Sequence, residues 1–275
     1  MPCQMAQRRP NSIILGEKMQ TAQSSLFGLP QKSIPKLQVI YEPKGRAKEY
    51  AARAANLFSG CGHGCLYCYA PSATRKTRED FINASPRHDI LQKLEADLKQ
   101  LTGQDIEPVL MSFTCDPYQP CEGETQLTRK AIELFRKYDV PFQVLTKGGM
   151  RSARDFNFYG QKDVFASSLT FLDPVKSLEW EPKAALPEDR IEAIKMAHDM
   201  QIKTWVSLEP VIDPAESLEI IRQTHEFVDL YKIGTLNHHP AGKLIDWAEF
   251  GRNVVELLEK LHKKSYIKED LRKYL

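Results

Sequence analysis

The sequence predicts an α/β fold, a partial (β/α)6 barrel of the TIM type preceded by an irregular N-terminal arm. Three observations carry this expectation. From about residue 53, short apolar runs rich in β-branched and aromatic residues alternate with longer stretches of helical period. Six such pairs can be traced, and repeated βα units give a parallel sheet with right-handed crossovers. The chain of 275 residues is also long enough to bury a full core in one large domain. Six units fall two short of a closed eight-fold barrel. An open barrel is therefore expected, with a doubly wound sheet as the competing arrangement. Both architectures place chemistry at the C-terminal ends of the strands.

The elements follow in order. Residues 1–50 read as a mostly irregular arm of Gln, Ser, Pro and Lys, with one short strand over 37–41, and 51–275 as the barrel domain. Strands are expected over 54–58, 109–114, 142–146, 164–170, 204–208 and 228–233. Helices are expected over about 88–102, 125–138, 149–157, 187–200, 214–225 and 246–262. Thr125 and Thr128 stand before the apolar run Ala131, Ile132, Leu134 and Phe135, as at a capped helix start. Asp213-Pro214 puts an N-cap before Pro at the first helical position, and Asp246 precedes Trp247 and another apolar run.

Composition excludes several classes. No apolar run is long enough to span a bilayer, so no membrane association is expected. Arg8 and Arg9 are followed by no apolar core of a secretory signal. The net charge of +2 is small for a protein that relies on phosphate contacts. Two basic clusters, Arg75, Lys76 and Arg78, and Lys263 and Lys264, read as solvated surface, although the first adjoins the cysteine motif. Three of the six cysteines (Cys3, Cys61, Cys65, Cys68, Cys115 and Cys121) fall within eight residues. That clustering points to metal binding in a reducing compartment and a cytoplasmic location, not to a secreted disulfide framework.

The informative stretch is Gly60-Cys61-Gly62-His63-Gly64-Cys65-Leu66-Tyr67-Cys68-Tyr69-Ala70, directly after the first expected strand. Its spacing is C-x3-C-x2-C. Three thiolates can hold three irons of a cubane [4Fe–4S] cluster and leave the fourth open to a small molecule. Gly60, Gly62 and Gly64 let the backbone wrap closely. Tyr67 can shield the cluster or lie near a nucleoside. A zinc site with His63 as fourth ligand is the alternative, but His63 stands only two residues from Cys61 and Cys65, too close for easy tetrahedral geometry.

This motif, with an aromatic residue before the last cysteine, resembles the signature of the radical S-adenosylmethionine (SAM) superfamily. The wider stretch is similar to the branch of spore photoproduct lyase and the DNA repair photolyase-like proteins, from about Tyr41 to Glu209. The resemblance implies a mechanism in which SAM chelates the open iron. An electron from the reduced cluster cleaves its S–C5′ bond, and the 5′-deoxyadenosyl radical abstracts a hydrogen from the substrate. It also implies an electron donor such as flavodoxin or ferredoxin.

Other strand ends supply the remaining candidates. The resemblance assigns Thr114 and Asp116 to the SAM ammonium, although Asp116-Pro117-Tyr118 is also a plain turn signal. It assigns Lys147 to the SAM carboxylate and Ser168 to a SAM hydrogen bond. Glu209 can accept from ribose hydroxyls or be a buried structural carboxylate. Cys115 is a candidate hydrogen-atom donor, out of register with the related enzyme, or an inert buried thiol. His238-His239 reads as a substrate contact or plain loop ahead of a metal site, and the segment from Tyr266 to Asp270 as a cap on the barrel's open side. Three functions stay open: a radical SAM enzyme acting on nucleic acid in the manner of a lesion-repair lyase; the same chemistry on a peptide, tRNA or small molecule; and a zinc-stabilised nucleic-acid-binding module. Nothing in the sequence indicates the oligomeric state.

Overall fold

A computed structural model describes residues 37–275, except Ser112 and His238. Most of the expected arm, with Cys3, lies outside the described residues. The strands are β1 (Ala54–Ala55), β2 (Phe58–Ser59), β3 (Ser85–Pro86), β4 (Val109–Met111), β5 (Phe142–Thr146), β6 (Val164–Ser168), β7 (Lys203–Leu208), β8 (Leu230–Ile233) and β9 (Lys264–Ile267). Seven of them form one sheet in the order β1-β4-β5-β6-β7-β8-β9, parallel throughout. The order never reverses, which separates this winding from a doubly wound sheet. β1 and β9 do not pair with each other, so the barrel is partial. β2 and β3 form a separate antiparallel pair beside the cysteine motif.

The seventh strand extends the expected six. Lys264–Ile267, which overlaps the segment from Tyr266 to Asp270 expected to cap the open side, adds to the edge of the sheet beside β8. Five of the six expected helices are present within two residues of their expected bounds: Ile90–Leu101, Leu127–Lys137, Pro187–Asp199, Pro214–Thr224 and Trp247–Lys260. Asp213 accepts from the amides of Ala215 and Glu216, and Asp246 from that of Glu249, as the N-cap reading requires. The Leu127–Lys137 helix starts differently. Thr128 does not cap it; its hydroxyl donates to the Pro117 carbonyl, and its amide donates to the buried carboxylate of Glu122. The stretch 149–157 coils as two short 3-10 helices, Gly149–Arg151 and Ala153–Phe158.

The two faces of the sheet bury different things. Val109, Met111, Phe142, Val144, Phe165, Val206, Leu208, Tyr231 and Ile233 pack into the large core beneath the helices. Each helix fits by spacing: Ile90, Leu94, Leu98 and Leu101 fall on one stripe. Burying a leucine such as Leu94 or Leu98 contributes about 1.5–3 kcal/mol. The other face carries a small cluster of Ala54, Leu110 and Leu145 with Tyr50 and Phe113. Tyr50 enters the barrel interior from the 3-10 helix Gly45–Glu49 and lies 5.8 Å from Trp205, ring centre to ring centre.

Residues 37–41 do not form the expected strand. The amides of Gln38, Val39 and Ile40 all donate to the buried carboxylate of Asp97, at 2.7–3.0 Å. One carboxylate thus takes the donors that a sheet ladder would use. Only Tyr41 makes a bridge, antiparallel to Ala54. Among the described residues, no helix is long and apolar enough to cross a membrane.

Candidate active site

The C-terminal ends of the strands open into one cavity of about 420 Å³. Ten of the residues singled out from the strand ends and the cysteine motif line it: Cys61, Cys65, Tyr67 and Cys68 after β2, Thr114, Cys115 and Asp116 after β4, Lys147 after β5, Ser168 at the end of β6 and Glu209 after β7.

The cysteine loop is pinned from several sides. The Cys61 amide donates to the Phe81 carbonyl, Leu66 to Trp180, and the Lys183 amide to the carbonyl of His63. The Gly62 amide donates to the Gln119 side chain at 2.6 Å. Arg78 donates to the carbonyls of Cys65 at 3.2 Å and Cys68 at 3.4 Å. Gly60 is required here: its φ is +95°, and a Cβ would stand 2.4 Å from the Phe81 carbonyl oxygen.

The thiols suit a cationic occupant. Burial pushes the Cys65 thiol up to about 12 and raises that of Cys61 well above its ordinary value. The protein alone therefore favours neutral thiols, and a metal centre between them would favour thiolates. Three soft sulfur donors in the wall of one cavity fit an iron–sulfur cluster. His63 is turned elsewhere. Its Nδ1 lies 3.5 Å from Asp116 and its Nε2 3.3 Å from Arg151. Burial lowers its pKa to about 4 against the pull of Asp116, so it is neutral near pH 7. Both ring nitrogens face side chains other than the cysteines, which disfavours His63 as the fourth ligand of a zinc site.

Tyr67 is locked in place. Its hydroxyl donates to the fully buried carboxylate of Glu181, which also accepts from Thr170 at 3.1 Å. Glu181 faces the buried guanidinium of Arg190 at 2.5 Å. Arg190 in turn donates to the carbonyls of Ala185 and Ser168. The cysteine loop is thus tied through one aromatic side chain to an ion pair behind β6. Lys147 stands over the Tyr67 ring, 5.6 Å from its centre. Burial opposes its charge, but nearby Cys65 and Glu181 outweigh that and hold it above the ordinary lysine value.

Asp116 has partners of its own chain. One oxygen accepts from the Tyr118 amide and the Thr146 hydroxyl, the other from the Lys147 amide. It staples the end of β4 to that of β5, so the turn reading describes these contacts. The Thr114 amide donates to Asn56, whose side-chain oxygen also lies 3.8 Å from the Cys115 sulfur. Cys115 is buried, and burial pushes its thiol up to about 12. Cys121 does not line the cavity. His239 caps the turn at Ala241 and packs on Trp180, as a plain loop residue does; His238 lies outside the described residues.

The structure adds residues that strand-end reasoning missed. Lys44, Arg46 and Tyr50 reach the cavity from before β1, and Thr235, Asn237 and Lys268 from after β8 and β9. Tyr50 and Lys268 both donate to Glu209, whose other oxygen accepts weakly from Asn237 at 3.4 Å. Lys268 follows β9 directly, so recognising the seventh strand would have pointed to it.

Comparison with known proteins agrees with this geometry. A profile of the radical SAM superfamily matches residues 55–228, and the chain belongs to that superfamily. It is a radical SAM enzyme, of a family whose cofactors are a [4Fe–4S] cluster and SAM. It is similar to an uncharacterised protein of Methanocaldococcus jannaschii, 26% identical over 190 residues, covering 66% of this chain and 69% of the relative. It is also similar to an uncharacterised protein of Acidianus two-tailed virus, 24% identical over 191 residues, covering 64% of this chain and 61% of the relative. Among solved structures, spore photoproduct lyase complexed with dinucleoside spore photoproduct superposes with a TM-score of 0.64 at 15% identity, over 85% of this chain and 79% of that one. Streptococcus suis SuiB bound to S-adenosylmethionine superposes with a TM-score of 0.58 at 12% identity, over 78% of this chain and about half (49%) of that one. At such identities the likeness is one of fold.

Proposed function

We propose that the cavity holds the [4Fe–4S] cluster on Cys61, Cys65 and Cys68, binds SAM beside it, and acts on a nucleic-acid base in the manner of a lesion-repair lyase. The observation that carries the cofactor part is the convergence of three cysteines, Lys147, Ser168 and Glu209 on one cavity at the strand ends. When bound, the cluster supplies the electron that breaks the S–C5′ bond of SAM, which gives the hydrogen-abstracting radical. The residues of the chain bind, orient and exclude water. Lys147, held charged in the cavity wall, pairs with the SAM carboxylate. Ser168 and Glu209 offer hydrogen bonds to its polar groups. Asp116 orients Lys147 through the backbone amide of that residue. Tyr67 shields the cysteine loop.

The nucleic-acid part rests on the cavity's other wall. Lys44 and Arg46 supply cationic groups, and Tyr69 and Phe113 supply aromatic faces. Cations for phosphate and rings for stacking suit an unpaired base. Phe113 holds φ at +120°, a conformation that L side chains rarely adopt, and its carbonyl accepts from the Tyr69 hydroxyl. Cys115, beside this wall, is the candidate that returns a hydrogen atom to a product radical.

The deciding experiment is anaerobic reconstitution with iron and sulfide, followed by dithionite and SAM with and without ultraviolet-damaged DNA. 5′-Deoxyadenosine should form, and damaged DNA should raise its rate. Material that holds only zinc, or DNA that leaves the rate unchanged, rejects the cofactor or the substrate part respectively. Lys147→Ala should raise the SAM dissociation constant about ten- to hundredfold, the equivalent of one charged hydrogen bond, with iron content intact. An unchanged constant removes Lys147 from the SAM site. Cys115→Ala should retain iron and 5′-deoxyadenosine formation but fail to complete turnover on the substrate. Normal product formation would make Cys115 a structural thiol, and lost iron would make it a ligand.

A further inference from the structure

The open side of the barrel is tied across the gap between its two edge strands. Glu49, ahead of β1, accepts from the Glu269 amide at 2.8 Å and from the Tyr266 hydroxyl at 3.2 Å. Arg46, in the same 3-10 helix, makes a second tie, to the Asp270 carboxylate at 2.9 Å. This second tie does more than close the gap. The Asp270 oxygen that takes Arg46 also accepts from the Thr235 hydroxyl at 2.7 Å and from the Asn237 side-chain nitrogen at 2.6 Å. Asp270 is buried and does not line the cavity, whereas Arg46, Thr235 and Asn237 all do. Burial raises the pKa of Asp270, but the bonds from Asn237 and Thr235 and the charges of Lys268 and Arg46 outweigh that and hold it below the ordinary carboxylate value. One charged oxygen outside the cavity thus fixes three side chains in its wall.

We infer that Asp270 is a positioning residue for the substrate: it aligns Arg46, Asn237 and Thr235 to take one nucleotide unit, with a phosphate on Arg46 and an N–H or O–H group on the Asn237 carbonyl. The inference rests on the nucleic-acid reading above. The bonding pattern leaves these groups to a ligand. A guanidinium carries several N–H donors, and Asp270 engages one nitrogen of Arg46. The Arg46 side chain is 45% exposed, so its remaining donors are within reach of a phosphate. The Asn237 amide nitrogen faces two carboxylates, Asp270 and, at 3.4 Å, Glu209. Carboxylates accept, so the nitrogen belongs on that side and the carbonyl oxygen away from it. The single hydroxyl proton of Thr235 goes to Asp270, its shorter contact, and not to the Asn237 carbonyl at 3.3 Å. Because Arg46 and Asn237 touch the same oxygen, the cation and the acceptor are neighbours. An anion joined to a hydrogen-bond donor matches them, as the phosphate of a nucleotide is joined to its sugar and base. Closure alone does not account for the bonds from Thr235 and Asn237, since Glu49 already spans the gap.

Asp270→Asn tests this on reconstituted protein with SAM. The probe is a short ultraviolet-irradiated DNA oligonucleotide, and the readout is its dissociation constant by fluorescence anisotropy. The substitution makes this end of the cavity more positive, which by charge alone would tighten the binding of an anion. Lost alignment predicts the opposite, binding about tenfold weaker. In an Arg46→Met background the same substitution should cost clearly less, because the two residues act through one contact. Glu49→Gln is the control for closure: it spans the gap but does not line the cavity, so it should lower the melting temperature and leave oligonucleotide affinity unchanged. Affinity in Asp270→Asn equal to or tighter than wild type overturns the inference. So does a loss of the same size with and without Arg46, or one that Glu49→Gln reproduces, since either makes Asp270 a structural residue. If Asp270→Asn does not fold, Arg46→Met and Asn237→Ala carry the test: each should weaken binding, and an unchanged constant in either overturns the inference. Wild-type protein that does not bind the oligonucleotide rejects the nucleic-acid reading, and the inference with it.

Discussion

Alanine at Cys61, Cys65 and Cys68 together should reduce iron and sulfide to the level of unreconstituted protein and abolish 5′-deoxyadenosine formation. The three sulfurs share one cavity wall, and their loop is held by backbone bonds that the substitution leaves intact. The fold should therefore survive, and circular dichroism should match wild type. The Cys61 and Cys65 thiols are also costly to ionise where they stand, with Cys65 pushed up to about 12 by burial. In the apoprotein these two are neutral thiols, so their removal leaves no unpaired charge in the cavity wall. Bound iron with full SAM cleavage in the triple variant would refute the assignment of these ligands.

Arg190→Met should be the most destabilising single change near the site. Glu181 and Arg190 are both fully buried, and removing one partner leaves a charge without compensation. The expected loss is about 3–5 kcal/mol in urea denaturation at pH 7. The pH dependence follows from Glu181. Burial raises its pKa, but the charges of Arg190 and Lys147 outweigh this and hold it below the ordinary 4.5. In the wild type its contribution is present above that value and is lost as pH falls through the lowered one. Without Arg190 the burial effect dominates and the pKa rises. The deficit of the variant relative to wild type should then shrink on acidification, because protonated Glu181 no longer carries an unpaired charge. Adding Glu181→Gln to Arg190→Met should recover part of the loss at pH 7. A single variant within 1 kcal/mol of wild type would contradict the account of this pair.

Six of the seven strands in the large sheet were legible because buried parallel strands are written in apolar, β-branched runs. β9 was not, because Lys264-Ser-Tyr-Ile lies at a half-exposed edge and carries no such run. The strand expected at 37–41 looked sound locally and was overruled by Asp97, a partner 57 to 59 residues away in sequence. In the site, the same reasoning located what hangs from strand ends: the cysteines, Thr114, Asp116, Lys147, Ser168 and Glu209. It missed Glu181 and Arg190, since a carboxylate and a guanidinium nine residues apart look like ordinary surface in one dimension. Their bond to Tyr67 spans 114 residues and leaves no local pattern. Asp116 lines the cavity, but its contacts are with its own chain, because a carboxylate that ends one strand beside the next serves the turn as readily as a ligand.

Tyr50 gives the partial barrel an unusual dependence. The side chain that stoppers its interior comes from a stretch ahead of the first strand, and it grips Glu209 from below. Chain removed up to Ala54 would leave a hollow under a carboxylate stripped of one of its donors, not a neatly trimmed edge. Substitutions upstream of the repeating units thus reach the floor of the reaction chamber without touching a single strand.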